Sequence, residues 1–361
     1  MFDYLIVGSG LFGCTFAQLA KSNGKNCLII EKRSHPFGNC YTESLKGINV
    51  HKYGPHIFHT SNMEIWNYVN QFCSFNNYVN RPKVNYDGQI FSFPINLFTL
   101  YQLWGVKTPA EAKIKLDSVK VKINNPTNLE DWILSQVGEE IYYKFIYGYT
   151  KKQWNTEPRN LPSFIIKRLP IRLNYDDNYF NDIYQGIPIG GYTAMMEKMV
   201  EGVEILLETD YFKKRDYWDS LAKKVVYTGP IDYFYNYIYG KLAYRSLSFE
   251  HINLSVSDFQ GNAIVNYTSD NTPYTRIIEH KHFEKINSEE TIVTKEYPSD
   301  FKEGLDPYYP INDELNTEIF SKYKSLCKNE KFIFGGRLAQ YQYFDMHQVI
   351  GSAIKKYNDL N

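Results

Sequence analysis

The run Gly8-Ser9-Gly10-Leu11-Phe12-Gly13 constrains the fold more than any other segment of this chain. A short apolar stretch, DYLIVG (3–8), leads into it. Behind it, in CTFAQLAKSNGK, Cys14, Ala17, Leu19 and Ala20 recur at helical spacing until Gly24 stops the pattern. Residues 26–31 (NCLIIE) predict a second strand. Strand, glycine turn, helix and strand within about 30 residues make a βαβ unit that opens at the first residue. In such a unit Gly8 permits the tight turn, Gly10 lets backbone approach a pyrophosphate, and Gly13 lets helix and strand pack closely. The helix N-terminus offers N–H groups and partial positive charge to phosphates. Glu31 ends the second strand, 18 positions after Gly13, where a carboxylate takes ribose hydroxyls. An acid there favours an unphosphorylated ribose, hence FAD or NAD over NADP.

Composition narrows the rest. A length of 361 residues predicts two or three domains. Lys+Arg is 40 and Asp+Glu is 40, so formal net charge is zero, which argues against nucleic-acid binding through bulk positive charge. No run approaches the roughly 18 apolar residues of a membrane span. The start, MFDYLIVGSG, has no basic region before an apolar stretch, so no secretory signal is expected. The five cysteines, Cys14, Cys27, Cys40, Cys73 and Cys327, are odd in number, widely spaced and without CxxC. Neither a disulfide framework nor a zinc site is expected, and a cytoplasmic location fits. Tyrosine is heavy, 32 residues. Compositional drift and a cleft lined with hydroxyl-bearing rings both account for it.

From about residue 95 the pattern turns helical: Leu97–Trp104, then 109–121 with Thr108 as N-cap, then 128–154 punctuated by Gly138 and Gly148. Pro and Gly crowd 158–191, which predicts irregular, mobile chain. Residues 224–229 (KVVYTG) read as a strand returning to the first domain. From about 241 to 297 alternation predicts a largely antiparallel sheet, with NAIVNYTS, TRIIEHKHF and ETIVTKEYP as strands. His280 and His282 alternate on one of them with Lys281 between. With His251 they are not expected to hold a metal.

The segment after Glu31 favours FAD over NAD. The chain runs KRSHPFGNCYT, with a Gly38-Asn39 turn where FAD-dependent proteins fold back along the dinucleotide. Those proteins usually carry a glycine pair there, and this chain has Phe37-Gly38. Near the C-terminus Gly335-Gly336-Arg337 follows a strand, and Asp345 with Gln348 has capping-box spacing. A helix start aimed at the flavin N1–C2=O edge would stabilise an anionic reduced flavin. An ordinary capped helix explains the same residues.

Taken together, GSGLFG (8–13), IEKRSHPFGNCYT (30–42), HKYGPHIFHT (51–60), GYTKKQW (148–154), FIIKRLPIR (164–172), NYFNDIYQGIPIGGYT (178–193), YTGPID (227–232), YRSLSFE (244–250), PYTRIIEHKHF (273–283), VTKEYP (293–298), PYYPIND (307–313) and GGRLAQYQYFDMHQVI (335–350) resemble the bacterial UDP-galactopyranose mutase family over essentially the whole length. That resemblance implies ring contraction of UDP-galactopyranose to UDP-galactofuranose, for cell-surface polysaccharide synthesis. The family uses reduced FAD (FADH⁻) without net redox change, its N5 attacking the anomeric carbon as UDP leaves. It implies Arg168 and Arg276 at the diphosphate, with Arg168 on a loop that closes over substrate. Tyr179, Tyr309 and Tyr343 would bond the same phosphates. Tyr149 would stack on uracil beside Thr150 and Asn266, and Trp154 would lie on the mobile side of the cleft. His56 would contact the flavin and is a candidate for proton transfer. His59 and Asn80 would lie near the sugar, and Arg245 is a candidate there, although YRSLSFE reads equally as a structural segment. Leu11, Phe12, Lys32, Ile57, Gly229, Arg337, Asp345 and Met346 would join Gly8, Gly10, Gly13, Glu31, Gly38, Asn39, His56 and Tyr343 around the cofactor. Pro55 stands where relatives often have Ala.

Absences agree. No carboxylate pair spaced for glycoside hydrolysis and no GxSxG is evident. The expected architecture is α/β: a discontinuous Rossmann-like FAD domain (1–78, 190–232, 328–361), a helical domain (95–160), and an antiparallel-sheet domain with a mobile loop (79–94, 161–189, 233–327). A homodimer and a separate flavin reductant are implied by the family. The same chemistry on UDP-N-acetylgalactosamine, or a net redox flavoenzyme of the same fold, are the competing expectations.

Overall fold

The computed structural model describes residues 1–167, 169–327 and 329–360. The chain divides into two compact units. Met1–Asn77, Asp182–Arg245 and Glu303–Asn361 make the first, and Tyr78–Asn181 with Ser246–Lys302 make the second. The helical segment and most of the antiparallel strands thus share one unit, while 182–189, 233–245 and 303–327 belong to the other.

In the first unit, Phe332–Phe334, Ala222–Tyr227, Phe2–Val7, Cys27–Ile30 and Glu204–Leu206 lie side by side in that order, all parallel. The central strands read as apolar runs because both faces are covered: Leu5, Ile6 and Ile29 are fully buried. On one face the helix Leu11–Ser22 buries Phe12, Phe16, Ala17 and Ala20 against Met346–Asn358 and Gly191–Met199. Phe16 meets Tyr4 and Tyr357 edge-on, at centroid distances of 5.1 and 5.4 Å. Burying each such ring stabilises the fold by about 2 kcal/mol. A second aromatic cluster joins Tyr211, Tyr227, Phe234 and Phe334, and the Arg215 guanidinium sits 4.2 Å above Phe234. Packing therefore accounts for part of the tyrosine excess. Val7, Ile30, Tyr227 and Phe334 end their strands along one edge, the edge where open parallel sheets bind ligands.

The second unit starts its helices with side-chain caps. Asn96 and Thr99 form a reciprocal capping box at Leu97–Trp104, Thr108 accepts from Glu111 N, and Asn128 accepts from Asp131 N. Each cap is worth about 1 kcal/mol. The helix expected over 109–121 ends at Val119. The one expected over 128–154 is three pieces. Leu129–Ile141 is interrupted at Gly138 (φ 76°, ψ 179°), Tyr142–Tyr147 is a π-helical turn, and Gly148–Trp154 returns to α geometry. Leu129, Ile133, Val137, Ile141, Tyr142 and Phe145 face one core with Leu97, Leu100 and Leu116.

The sheet of this unit pairs Tyr244–Leu254 (from Ser246 on), Thr291–Asp300, Arg276–Glu279, Ile264–Tyr267, Lys83–Tyr86 and Gln89–Ser92 in that order. Ile264–Tyr267 runs parallel to Lys83–Tyr86 and antiparallel to Arg276–Glu279. The strand expected over TRIIEHKHF stops at Glu279. His280 begins a helical turn, Lys281–Glu284, so His280 and His282 do not alternate on a strand. The buried Glu279 carboxylate explains the turn. It accepts from Phe259 N, Gln260 N and Thr291 Oγ1, and His282 Nε2 lies 3.3 Å from it. A helical turn brings residues three apart together, whereas a strand would send them to opposite faces. No helix among the described residues is long and apolar enough to cross a membrane.

Candidate functional site

The first unit carries a cradle at the C-terminal edge of its parallel sheet. Gly8 leaves the first strand with φ +102°, and a Cβ there would sit 2.1 Å from Thr228 Oγ1. Only glycine suits both the conformation and the space. A Cβ on Gly13 would lie 2.1 Å from the Gly8 carbonyl oxygen. Gly10, by contrast, has nothing within 4 Å of its Cβ position, and as N-cap it leaves the first helical turn without a side-chain cap. Open space above uncapped N–H groups is what a pyrophosphate needs.

The Glu31 carboxylate is buried. Ser9 N and Ser9 Oγ donate to its Oε2 at 3.0 and 2.8 Å, and Arg33 N donates to its Oε1 at 3.0 Å. Ser9 Oγ also accepts from Phe37 N at 2.9 Å. Phe37 adopts φ 74° with its ring buried, so packing and this bond hold the turn in which a glycine is missing. Of the expected cofactor residues, Gly8, Gly10, Leu11, Phe12, Glu31, Lys32, Gly38, Asn39, His56, Gly229, Arg337 and Met346 line one cavity. Gly13, Ile57, Tyr343 and Asp345 are not in that lining. Asp345 caps Met346–Asn358 in a capping box with Gln348. Sequence reasoning missed Arg33. It lines the cavity, pairs with Asp306 at 2.7 Å, donates to Asn39 Oδ1 and lies 4.5 Å from the Tyr53 ring centre.

His56 sits at the cavity with Nδ1 2.9 Å from the Gly54 carbonyl oxygen. That geometry assigns the proton to Nδ1 and leaves Nε2 as an acceptor. Burial, opposed by the Gly54 bond, pushes its pKa down to about 4. The ring is neutral at physiological pH. His59 Nδ1 lies 2.6 Å from Asp182 Oδ2, and Ser61 Oγ donates to Asp182 Oδ1 at 2.7 Å. Burial works to raise the Asp182 carboxyl, but these bonds outweigh it and hold the carboxyl below its usual range. Asp182 and His347, whose ring meets His59 edge-on at 5.1 Å, are further partners that the sequence left unmarked. Tyr309 stacks on Tyr343 at 5.4 Å, with Arg337 within cation–π distance of both rings. Arg245 is almost fully buried on a strand that pairs it with Tyr309.

The second unit gathers another set. Tyr149, Thr150 and Trp154 ride on Gly148–Trp154. Asn266 and Arg276 face each other across adjacent strands. Arg276 Nη2 donates to the Tyr149 hydroxyl, and its Nε lies 3.1 Å from Glu296 Oε1. Glu296 is buried and opposite Arg276 in register. Burial pushes the Tyr149 phenol up to about 12, with the Arg276 charge opposing, so it stays a neutral hydrogen-bonding group. Asn80 is buried, its carbonyl accepting from Tyr179 N at 2.8 Å. Tyr179 also packs near Phe93, and Trp154 packs on the helical core. Glu296, in the VTKEYP segment, went unassigned in the sequence. Arg168 lies outside the described residues.

A parallel sheet with a glycine cradle at the end of its first strand and a buried acid at the end of the next defines an enzyme with a Rossmann-like nucleotide-binding domain. Residues 6–72 match the model for NAD(P)-binding Rossmann-like domains, and 144–343 match the model for UDP-galactopyranose mutase. The chain is 43% identical to a probable UDP-galactopyranose mutase of Klebsiella pneumoniae, over 98% of this chain and 93% of that one. It is 41% identical to a dTDP-fucopyranose mutase of Escherichia coli, over 97% and 96% of the two chains. Its fold is similar to that of a crystal structure of reduced UDP-galactopyranose mutase, with a TM-score of 0.75 and 13% identity over 100% of this chain and 94% of that one. The chain belongs to the UDP-galactopyranose mutase family, a family of isomerases.

Proposed function

We propose that this chain interconverts UDP-galactopyranose and UDP-galactofuranose using reduced FAD, with no net redox change. The observation that carries the reading is the Arg276 clamp. A buried carboxylate and a phenol orient this guanidinium, while its side chain keeps 22% of its surface exposed. A preset guanidinium binds a diphosphate with little ordering cost. The cradle fits the cofactor, since the space over Gly10 and the Glu31 carboxylate suit a pyrophosphate and a ribose.

Bound reduced flavin supplies a nucleophilic nitrogen for the anomeric carbon and is recovered unchanged. The residues of the chain do the rest. Arg276, with Arg168, Tyr179, Tyr309 and Tyr343, holds the diphosphate as its bond to the anomeric carbon breaks and later re-forms. Tyr149, Thr150, Asn266 and Trp154 hold the uridine. Neutral His56 offers Nε2 as an acceptor beside the flavin and keeps positive charge away from it. His59, oriented by Asp182, bonds sugar hydroxyls, with Asn80 and Arg245 assigned to the same sugar. A separate reductant charges the flavin, and the chain acts as a cytoplasmic homodimer.

A second reading is favoured by the dTDP-fucopyranose mutase relative, whose identity to this chain is within two points of the first. Turnover of UDP-galactopyranose, dTDP-fucopyranose and UDP-N-acetylgalactosamine, with and without dithionite, tests the proposal. Furanose formed from UDP-galactopyranose only by reduced protein, without stoichiometric loss of reductant, is expected. Preference for another sugar nucleotide would overturn the substrate assignment, and stoichiometric oxidation would overturn the mechanism.

A further inference from the structure

The ammonium of Lys152 is held inside the loop that joins two strands of the second unit. Its Nζ donates to the carbonyl oxygens of Tyr267, Ser269 and Thr272, each at 2.9 Å, and of Tyr274 at 3.1 Å. An ammonium has three N–H bonds, so three donors are shared among four acceptors. Lys152 is half-buried, and burial pushes its pKa down to about 8, with the Asp270 charge opposing, so the group stays an ammonium at neutral pH. Four convergent carbonyl oxygens face that charge.

This arrangement ties together two elements that the proposed function needs. Lys152 belongs to Gly148–Trp154, which carries Tyr149 and Thr150. The captured loop runs from Tyr267 to Tyr274, directly between Asn266 and Arg276. Two other contacts hold the loop, one on the preceding Tyr142–Tyr147 turn and one on the helix itself. Thr268 Oγ1 donates to the Lys144 carbonyl. A Cβ on Gly148 would lie 2.2 Å from the Thr268 carbonyl oxygen, so helix and loop touch through bare backbone. Across this clasp the Tyr149 hydroxyl meets Arg276. Tyr149 and Arg276 keep that geometry only if helix and loop stay in register.

We propose that Lys152 is a positioning residue for nucleotide recognition. Its ammonium pins the 267–274 loop to the Gly148–Trp154 helix, thereby setting Tyr149, Asn266 and Arg276 for a nucleoside diphosphate. The inference rests on the functional reading above and goes beyond it by naming what fixes the geometry.

The test is UDP binding by the full FAD-loaded protein, measured calorimetrically. Lys152→Met keeps the length and removes the charge. It should weaken UDP binding by about tenfold or more, the consequence of one lost charge-assisted contact set. FAD content should not change, because the cradle lies in the other unit. In Lys152→Ala the four carbonyls remain, so ammonium chloride should tighten UDP binding relative to equal choline chloride, while the parent protein shows no such difference. A lysine needed only for stability would lower the melting temperature without this cation-specific recovery. Thr268→Ala, a milder variant, removes a separate bond of the clasp and should weaken UDP binding by about threefold. It keeps the proposal testable if the Lys152 variants fail to fold, and an unchanged affinity for it would then overturn the idea. UDP affinity within twofold of the parent in Lys152→Met, or loss that ammonium does not reverse in Lys152→Ala, would overturn the positioning role alone. Failure of the parent protein to bind UDP would overturn the functional reading and this inference with it.

Discussion

Ser9 holds Glu31 by two bonds, backbone N–H and hydroxyl both donating to the same carboxylate oxygen. The variable residue between the first two glycines of the fingerprint thus orients the acid expected to meet the ribose. Glu31→Ala removes the ribose acceptor and leaves Ser9 without its partner. Charge-assisted bonds are worth about 1.5–3 kcal/mol, so FAD affinity should fall roughly 10- to 100-fold. Flavin absorbance retained after gel filtration would check this, and undiminished flavin would remove Glu31 from the cofactor site.

Arg276 bridges Tyr149 and the buried Glu296. Arg276→Ala should weaken UDP binding by about 100-fold and leave FAD bound, since the cradle belongs to the other unit. The melting temperature should drop as well, because Glu296 loses its cation in a buried setting. Arg276→Lys should recover little binding, as a point charge cannot reproduce the planar fork. Titration calorimetry with UDP on both variants would decide.

His56 has its pKa pushed down to about 4 from 6.5, chiefly by burial. The folded value lies below the unfolded one, so this group's contribution to stability is intact above pH 6.5 and is lost as pH falls toward 4. Its ring should stay neutral from about pH 5 to about pH 8. Nitrogen-15 spectra of the imidazoles would show it, with His282, whose pKa Glu279 raises, titrating at higher pH in the same sample. A His56 resonance titrating near its ordinary value would contradict the neutral assignment.

Glu279 is held down to about 2 from 4.5. Burial raises it, but bonds from His282, Thr291 and the 259–260 backbone more than offset that. Stability from this carboxylate is present above pH 4.5 and disappears as pH falls toward 2. Holding a carboxyl at about 2 instead of 4.5 corresponds to roughly 3 kcal/mol. Glu279→Gln should therefore be less stable at neutral pH and show a shallower acid branch, measured by urea unfolding across pH.

The parallel sheet was legible because its central strands are short apolar runs and its turn is a glycine run. The helix starts at Leu97, Pro109 and near Asn128 were legible, the second through its local Thr108 cap, whereas the caps at Asn96 and Asn128 were seen only in the structure. The clamps were not. Ser9 reaches Phe37 across 28 positions, and His59 reaches Asp182 across 123. No periodicity encodes such tertiary pairs. TRIIEHKHF misled because its alternation is that of a strand, whereas one buried carboxylate turns the chain into a helical loop. The roles proposed for Tyr149, Arg276 and His56 come from family likeness, and the structure adds the partners that hold these side chains.

The π turn at Tyr142–Tyr147 sets the phase of everything after it on that rod. Each residue of an α-helix advances the rotation by about 100°. Deleting one residue from 142–147 would let the helix wind more regularly and gain local hydrogen bonding. The same deletion would swing Tyr149 away from Arg276 and Lys152 away from the 267–274 loop. Better winding would come with the loss of two aligned side chains, so the residue count of this stretch matters independently of what its side chains bury.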